Sequence, residues 1–298
     1  MNRTDLIALI ETAIAISLWA LSFVFIKIAL GEISPVTLIV LRYVMGGLIL
    51  GVVAGIRRDF SKYERKDIVR MFWLGLVGIF LQQMLQVHGQ VSADASVAAF
   101  LASTAPAFMV ILAAVFLRES VRGWQILGVL LATLGGIWVA TGGDFVSLTA
   151  GQFENRGNWL VLASSLIWAV YTILTRYLMK DRPPILIAAG MLSFGCLFSL
   201  PFFVKQGGWK EIPLLSPSGW GAVIVIGVFS TAVTYLLYSH ALKLAPASRL
   251  AAIQNIEPLI ATFAAVWILD ENITPALIWG GFAILTGVYL AERNSSPR

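Results

Sequence analysis

The sequence predicts an all-α membrane protein of ten transmembrane helices, built as two inverted-topology repeats of five. Three observations predict it. The 298 residues are 58% hydrophobic and only 12% charged, with mean hydropathy +0.85. Soluble domains run at roughly 45–50% apolar and about 25% charged, so lipid must solvate most of this exterior. Apolar runs of about 20 residues, the length that crosses a hydrocarbon core, recur along the whole chain. The second half of the chain also repeats the first.

In order, the runs are 6–30, 35–56, 68–88, 95–117, 121–141, 157–179, 184–204, 218–242, 247–269 and 274–291. The first is too long for the apolar core of a cleavable signal and leads straight into further spans. Turn residues separate the runs: Gly31-Glu32-Ile33-Ser34-Pro35, Asp181-Arg182-Pro183-Pro184 and Ala245-Pro246-Ala247. The longest break, 142–156, is polar and divides the chain into a first repeat (1–142), an external linker (143–156) and a second repeat (157–298). The single cysteine, Cys196, lies in an apolar run and reads as a small packing residue.

The net charge of +5 does not point to nucleic acid, because the cations sit in short loops between spans. Cytoplasmic loops retain Lys and Arg. With the N-terminus inside, the external loops hold only Arg156, Lys205 and Lys210. Lys27 and Arg42 fall within spans, towards the outer end, and the remaining sixteen of the 21 cations are cytoplasmic. This alternation predicts an even number of spans and both termini in the cytoplasm; the expected location is a bacterial inner membrane.

At a shift of 152 residues, Gly75, His88, Ser96, Pro106, Glu119, Gly128 and Gly135 meet Gly227, His240, Ser248, Pro258, Glu271, Gly280 and Gly287. At a shift of 149, Trp19-Ala20 meets Trp168-Ala169 and Lys27 meets Arg176. A five-span unit copied once must insert upside down. Such inverted repeats supply secondary transporters with two near-equal states, one open to each side. Duplication for packing alone is the rival explanation. The chain shows no His-Glu-x-x-His, no aspartate pair at metal spacing and no Ser with a nearby His, so no enzyme, metal or cofactor is expected. A channel would need a continuous polar stripe, which no span carries.

The motifs that carry a family resemblance are Leu18-Trp19-Ala20-Leu21-Ser22-Phe23 with Lys27, Leu41-Arg42-Tyr43, Ser103-Thr104-Ala105-Pro106 and Phe116-Leu117-Arg118-Glu119. In the second half they are Ile256-Glu257-Pro258 and Leu269-Asp270-Glu271, with glycines 128, 135, 280 and 287 in the last span of each half. In their order and doubling the chain resembles the EamA-type branch of the drug/metabolite transporter superfamily, over nearly its whole length. The resemblance implies a ten-helix exporter working by alternating access without ATP. Within the family the chain is most similar to exporters of aromatic amino acids. A multidrug or cationic-drug exporter of the same fold is the alternative.

Polar groups inside a bilayer are costly and line cavities or pair with each other. Gln82, Gln83 and Gln86 share the third span; Gln82 and Gln86, four apart, share a face. The repeat sets Thr234, Tyr235 and Tyr238 opposite them. With Trp19, Ser103, Trp168, Tyr171, Gln254 and Asn255, these side chains predict a cavity of aromatic walls and neutral hydrogen-bonding groups. It suits a neutral, zwitterionic or aromatic solute; anionic cargo is disfavoured unless Lys27 or Arg42 reaches inward. Helix–helix hydrogen bonding is the competing role for each polar residue. Glu257 is the acid nearest a span centre, and either couples transport to protons or satisfies backbone groups freed by Pro258. Pro106 and Pro258, at matching mid-span positions, act as hinges or as static kinks. Glu11 reads as interfacial, His88 and His240 as polar termini or gate contacts, and Glu119, Asp270 and Glu271 as solvated or capping groups. The expected partners are a small-molecule solute and membrane lipid, with the chain a monomer or a weak homodimer.

Overall fold

A computed structural model describes residues 3–57, 64–116, 121–144, 155–179, 182–245, 250 and 253–292. Every regular element among the described residues is helical, with no strand. The helices are α1 (Arg3–Leu30), α2 (Pro35–Ile56), α3 (Arg65–Ser92), α4 (Ala95–Ala102), α5 (Ala105–Phe116), α6 (Gly123–Ala140), α7 (Arg156–Leu178), α8 (Pro184–Gln206), α9 (Pro217–Leu244), α10 (Glu257–Leu269) and α11 (Pro275–Glu292). Counting α4 and α5 as one interrupted span, nine helices among the described residues are long and apolar enough to cross a membrane. The expected run 247–269 is described as helix mainly over α10, which has 13 residues. Ser248, Glu119 and linker residues 145–154 lie outside the described residues.

Local chemistry sets the helix starts. Ser34 and Ser216 each stand before a proline, and each hydroxyl accepts an N–H of the first turn, from Thr37 and Gly219. Serine caps a free backbone donor, and proline at the first helical position lacks a donor that would need satisfying. The outward faces are apolar: Ile56, Trp267, Trp279 and Phe282 are all exposed. In water such a surface would associate; in lipid it is solvated.

Glycines let the helices touch backbone to backbone. A β-carbon added at Gly128 would lie 2.5 Å from the Gly287 carbonyl oxygen, and one at Gly287 would lie 2.6 Å from the Gly128 oxygen. Gly135 and Gly280 repeat the contact further along α6 and α11. Without a strong hydrophobic drive between helices in lipid, such close packing holds spans together. Gly89 of α3 meets Gly157 of α7 in the same way. Gly46 of α2 faces Gly227 of α9, while Gly195 of α8 faces Ile79 of α3 and Gly75 faces Met191 and Gly195.

Two departures from regular helix matter for the site. Residues Gly75–Leu81 of α3 and Val225–Val233 of α9 are π-helical. Such wide turns shift the register of the following residues and favour functional sites. The fourth run also breaks outright. Where the mid-span Pro106 predicts a kinked but continuous helix, α4 ends at Ala102, Ser103 and Thr104 form a turn, and Pro106 sits in the first turn of α5. Proline has no N–H for the carbonyl four residues back, so the helix restarts instead of continuing. The second half does the same: Asn255 and Ile256 turn before α10, whose first residues are Glu257 and Pro258.

Polar clasps join the helix ends. At one end, Glu32 accepts from the Ser216 amide (2.7 Å) and hydroxyl (2.6 Å), and Glu211 accepts from the Ser34 amide (2.9 Å). The Ser216 bonds hold the Glu32 carboxyl below its ordinary range. On the same side, Glu271 accepts from the Ala95 amide (2.6 Å) and from the amide and hydroxyl of Ser96 (3.0 and 2.6 Å), capping α4. Glu271 therefore caps, one of the two roles expected of it. At the opposite end, Arg182 pairs with Glu64 and with the buried Asp67 (2.9 Å), and Arg70 donates to the Leu178 carbonyl (3.1 Å).

Lys66 and Arg182 hold the Glu64 carboxyl down from 4.5 to about 2. A depressed carboxylate contributes stability that is fully present above its unfolded value and is lost only as pH falls through the folded one. The Glu64 clasp is thus charged from about pH 5 to about pH 8, the range in which transport is measured. Glu64→Gln is expected to leave the pH profile of transport over that range unchanged. A displaced profile in a proteoliposome assay would show that the clasp titrates there after all.

Candidate solute-binding site

The π segments end where the polar residues begin. In α3 the turn after Leu81 brings Gln82, Gln83 and Gln86 into the bundle, all buried. They form one network: Gln82 Nε2 donates to Gln86 Oε1 (2.7 Å), and Gln83 Nε2 donates to Gln82 Oε1 (2.8 Å) and Gln86 Oε1 (3.3 Å). Buried amides are tolerated because they are paired.

From α9, Tyr235 and Tyr238 reach Trp19 of α1. The Trp19–Tyr235 ring centroids are 6.3 Å apart at 87°, and Trp19–Tyr238 are 5.5 Å apart at 54°. In α7, Trp168 and Tyr171 pack together at 5.1 Å. The Tyr171 ring lies over Gly78, where an added β-carbon would fall 1.8 Å from Cδ2. Its hydroxyl lies within electrostatic reach of the Tyr235 hydroxyl, which relates the two aromatic groups. Ser230 Oγ donates to the Leu18 carbonyl (2.7 Å), fastening α9 to α1 beneath them. Trp19, Trp168, Tyr235 and Tyr238 are all partly buried.

The two cations of the spans part company. Lys27 reaches outward to the Gln90 and Val91 carbonyls (3.1 and 3.5 Å) at the end of α3, where the helix dipole favours a cation. Arg42 reaches inward. Its Nε donates to Thr231 Oγ1 (3.0 Å) and its Nη1 to Gln83 Oε1 (2.9 Å). The sequence reading set Arg42 towards the outer end of its span. The helix position fits that, but the long side chain carries the charge to the amide network. The sequence left the inward reach of Lys27 and Arg42 open, and the structure shows it for Arg42.

The remaining candidates sit around the helix breaks. Ser103 Oγ bonds back to the Phe100 carbonyl (2.7 Å), and Thr104 pairs with Ser165 of α7 (2.8 Å). Asn255 Nδ2 donates to Glu292 of α11 (3.3 Å), and Glu292 lies within electrostatic reach of Tyr238. Gln254 and Glu257 have no hydrogen-bonding partner among the described residues, and Glu257 stands at the start of α10, where the helix dipole favours an anion. Ser103, Gln254 and Asn255 therefore take no part in the hydrogen bonds of the aromatic and amide group, and only Asn255, through Glu292, is linked towards it. Glu11 is not simply solvated: His240 Nδ1 lies 2.9 and 2.8 Å from its two oxygens, tying α1 to α9 near one end of the bundle. His88 Nδ1 donates to the Met84 carbonyl (2.8 Å) on its own helix.

Many long apolar helices around a shared group of polar and aromatic side chains define a multi-pass membrane protein. The sequence pattern of the EamA-like transporter family matches residues 6–141 and 155–293, one stretch in each half. The chain belongs to the EamA-like transporter family and is a transporter. It is 26% identical over 290 residues to an uncharacterized transporter of Archaeoglobus fulgidus, covering 96% of this chain and 98% of that one. It is 27% identical over 285 residues to a probable terminal-alkyne amino-acid exporter of Streptantibioticus cattleyicolor, covering 94% and 91%. A solved crystal structure at 20% identity shares the fold, with TM-score 0.64 over 95% of this chain and 96% of that one.

Proposed function

We propose that this chain is a secondary transporter that exports small neutral or zwitterionic solutes, aromatic amino acids foremost, by alternating access. The observation that carries the reading is the joint cluster. Trp19 and Gln82 with Gln86 come from the first half, Trp168, Tyr171, Tyr235 and Tyr238 from the second, and Arg42, bonded to Gln83 and close to Tyr235, links the amides to the rings. Aromatic faces stack on a solute ring at roughly 0.5–1.5 kcal/mol per pair, and amides orient its polar end. The likeness to a relative named as an amino-acid exporter supports the same class.

On this reading residues 1–142 and 157–298 are two five-helix repeats, inverted in the membrane and joined by the external linker 143–156. Ten spans result when the apolar run 247–269 is counted as the ninth. The glycine contacts support the inversion: Gly46 against Gly227 becomes, with the halves exchanged, Gly195 against Gly75. The paired breaks beside Pro106 and Pro258 are the hinges of opposite gates, and interrupted helices in matching positions point to a transporter site. The protein sits in a bacterial inner membrane with both termini cytoplasmic, as a monomer or a weak homodimer. Reporter fusions after Arg65 and Arg182 are then expected to read cytoplasmic, and one after Val146 external. An external signal after Arg65 rejects the topology.

Substrate class is tested by competition in proteoliposomes, with amino acids, nucleosides and cationic drugs against a labelled aromatic amino acid. Aromatic amino acids are expected to compete best. Competition by cationic drugs alone would move the cargo to the drug class. Glu257, unpartnered at a helix start beside a break, is the candidate coupling group. Glu257→Gln is expected to flatten the pH dependence of uptake; an unaltered dependence removes Glu257 from coupling.

A further inference from the structure

Arg42 carries a charge that the protein leaves without a counter-charge. Its guanidinium lies among the helices and its two hydrogen bonds go to neutral acceptors, Thr231 and Gln83. Other cations are treated differently: Arg182 has Glu64 and Asp67, Arg70 has Asp67, and Lys27 has carbonyls at a helix end. Among the described residues no carboxylate lies within ion-pair distance of Arg42. An arginine stays protonated in proteins, so it cannot relieve an unpaired position by losing its proton. A charge held in a membrane span without a partner marks a functional position.

The surrounding groups hold this guanidinium in place and leave donors free. Gln83 spends its amide N–H groups on Gln82 and Gln86, which turns its oxygen to Arg42. The oxygen of Gln86 receives two donors, while its own Nε2 makes no hydrogen bond. The guanidinium has further N–H groups beyond the two in use. Tyr43 and Tyr235 lie within electrostatic reach of it, and Tyr235 joins it to the Trp19 and Tyr238 rings.

The fold does not require this arrangement. At the repeat shifts, Arg42, Gln83 and Thr231 correspond to Met191, Tyr235 and Ile79. There Ile79 packs on Gly195, and no charge is present. One half builds the same helix junction from apolar contacts, while the other half places an unpaired cation in it.

We infer that Arg42 is a carboxylate anchor, so that the transported solute is a monocarboxylate whose acid group docks on Arg42 and Gln86 while its body lies against the aromatic rings. The inference rests on reading the cluster as the solute site and narrows the cargo within that reading. Arginine presents a planar fork that matches a carboxylate in two parallel charge-assisted bonds. The α-carboxylate of an amino acid satisfies the chemistry, and so does a simple aryl acid.

The test measures ligand-induced thermal stabilisation of the purified full-length protein. The probes are 3-phenylpropionate with 3-phenylpropan-1-ol and phenylalanine with phenylalaninol, and in parallel 4-methylpentanoate with 4-methylpentan-1-ol and leucine with leucinol. In each set the alcohol keeps the body and lacks the acid. Wild type is expected to bind at least one acid of a set about tenfold or more tighter than its alcohol. Arg42→Gln is expected to erase that difference while leaving the alcohol within about twofold, and Arg42→Lys to keep part of it. If Arg42→Gln does not fold, the comparison of wild type with Arg42→Lys decides. Preference for acids in the leucine set alone retains the anchor and rejects the aromatic reading of the cargo. The anchor is overturned if no acid in either set binds better than its alcohol, or if the Arg42 variants weaken acid and alcohol equally.

Discussion

Gly128→Leu is expected to prevent α6 from docking on α11 and to abolish recovery of folded protein from detergent. A β-carbon at that position already falls within 2.5 Å of two backbone atoms, the Ala291 nitrogen and the Gly287 oxygen. Backbone cannot swing aside as a side chain can, so the helices must separate. Overpacking a tight contact costs about 3 kcal/mol or more when nothing can yield. Gly287→Leu fails for the same reason, since its β-carbon would meet the Ala132 nitrogen at 2.4 Å and the Gly128 oxygen at 2.6 Å. Gly51 is the control: it lies in α2 with nothing within 4 Å of an added β-carbon, so Gly51→Ala is expected to be neutral or slightly stabilising. Monodispersity and thermal midpoint check all three. A Gly128→Leu protein that melts like the parent would show that α6 and α11 do not depend on this contact.

Tyr235→Ala is expected to reduce export of aromatic solutes more than tenfold while expression holds. Tyr235 touches the Trp19 ring, lies within electrostatic reach of the Tyr171 hydroxyl and is close to Arg42. Losing the ring removes its contact with Trp19 and a stacking face for the solute, together about 2 kcal/mol, and every 1.4 kcal/mol is a factor of ten. Trp168→Ala is expected to act in the same direction, because Trp168 braces Tyr171 at 5.1 Å. Tyr235→Phe keeps the ring and loses only the hydroxyl, so its effect is expected to be smaller. Transport kinetics separate the cases: a raised KM with an intact maximal rate places the ring in solute binding, and unaltered kinetics in both alanine variants refute the aromatic site.

Much of this was legible in the sequence because lipid makes simple demands. Backbone groups in a bilayer must bond within their own helix, so long apolar runs read directly as spans. Gly128, Gly135, Gly280 and Gly287 were visible as spaced small residues, and the structure sets them in contact. Trp19 and Trp168 stood out because the shift between halves superimposed two uncommon residues. Three features did not show. The π segments at Gly75–Leu81 and Val225–Val233 fall in apolar stretches whose residues read equally well as regular α-helix. The breaks at Ser103 and Asn255 fall just ahead of the prolines, so proline position alone suggested a kink where the helix in fact restarts. The inward reach of Arg42 is a property of a long side chain, which helix position cannot express.

The central claim is that one aromatic and polar site is exposed to each side of the membrane in turn. Counterflow measures this most directly. Proteoliposomes loaded with unlabelled phenylalanine are diluted into a trace of labelled phenylalanine, with no proton gradient imposed. A carrier of this kind is predicted to draw label inward to a transient excess over its equilibrium level and to saturate as external phenylalanine rises. A rise to equilibrium with neither overshoot nor saturation would contradict the account and describe a pore.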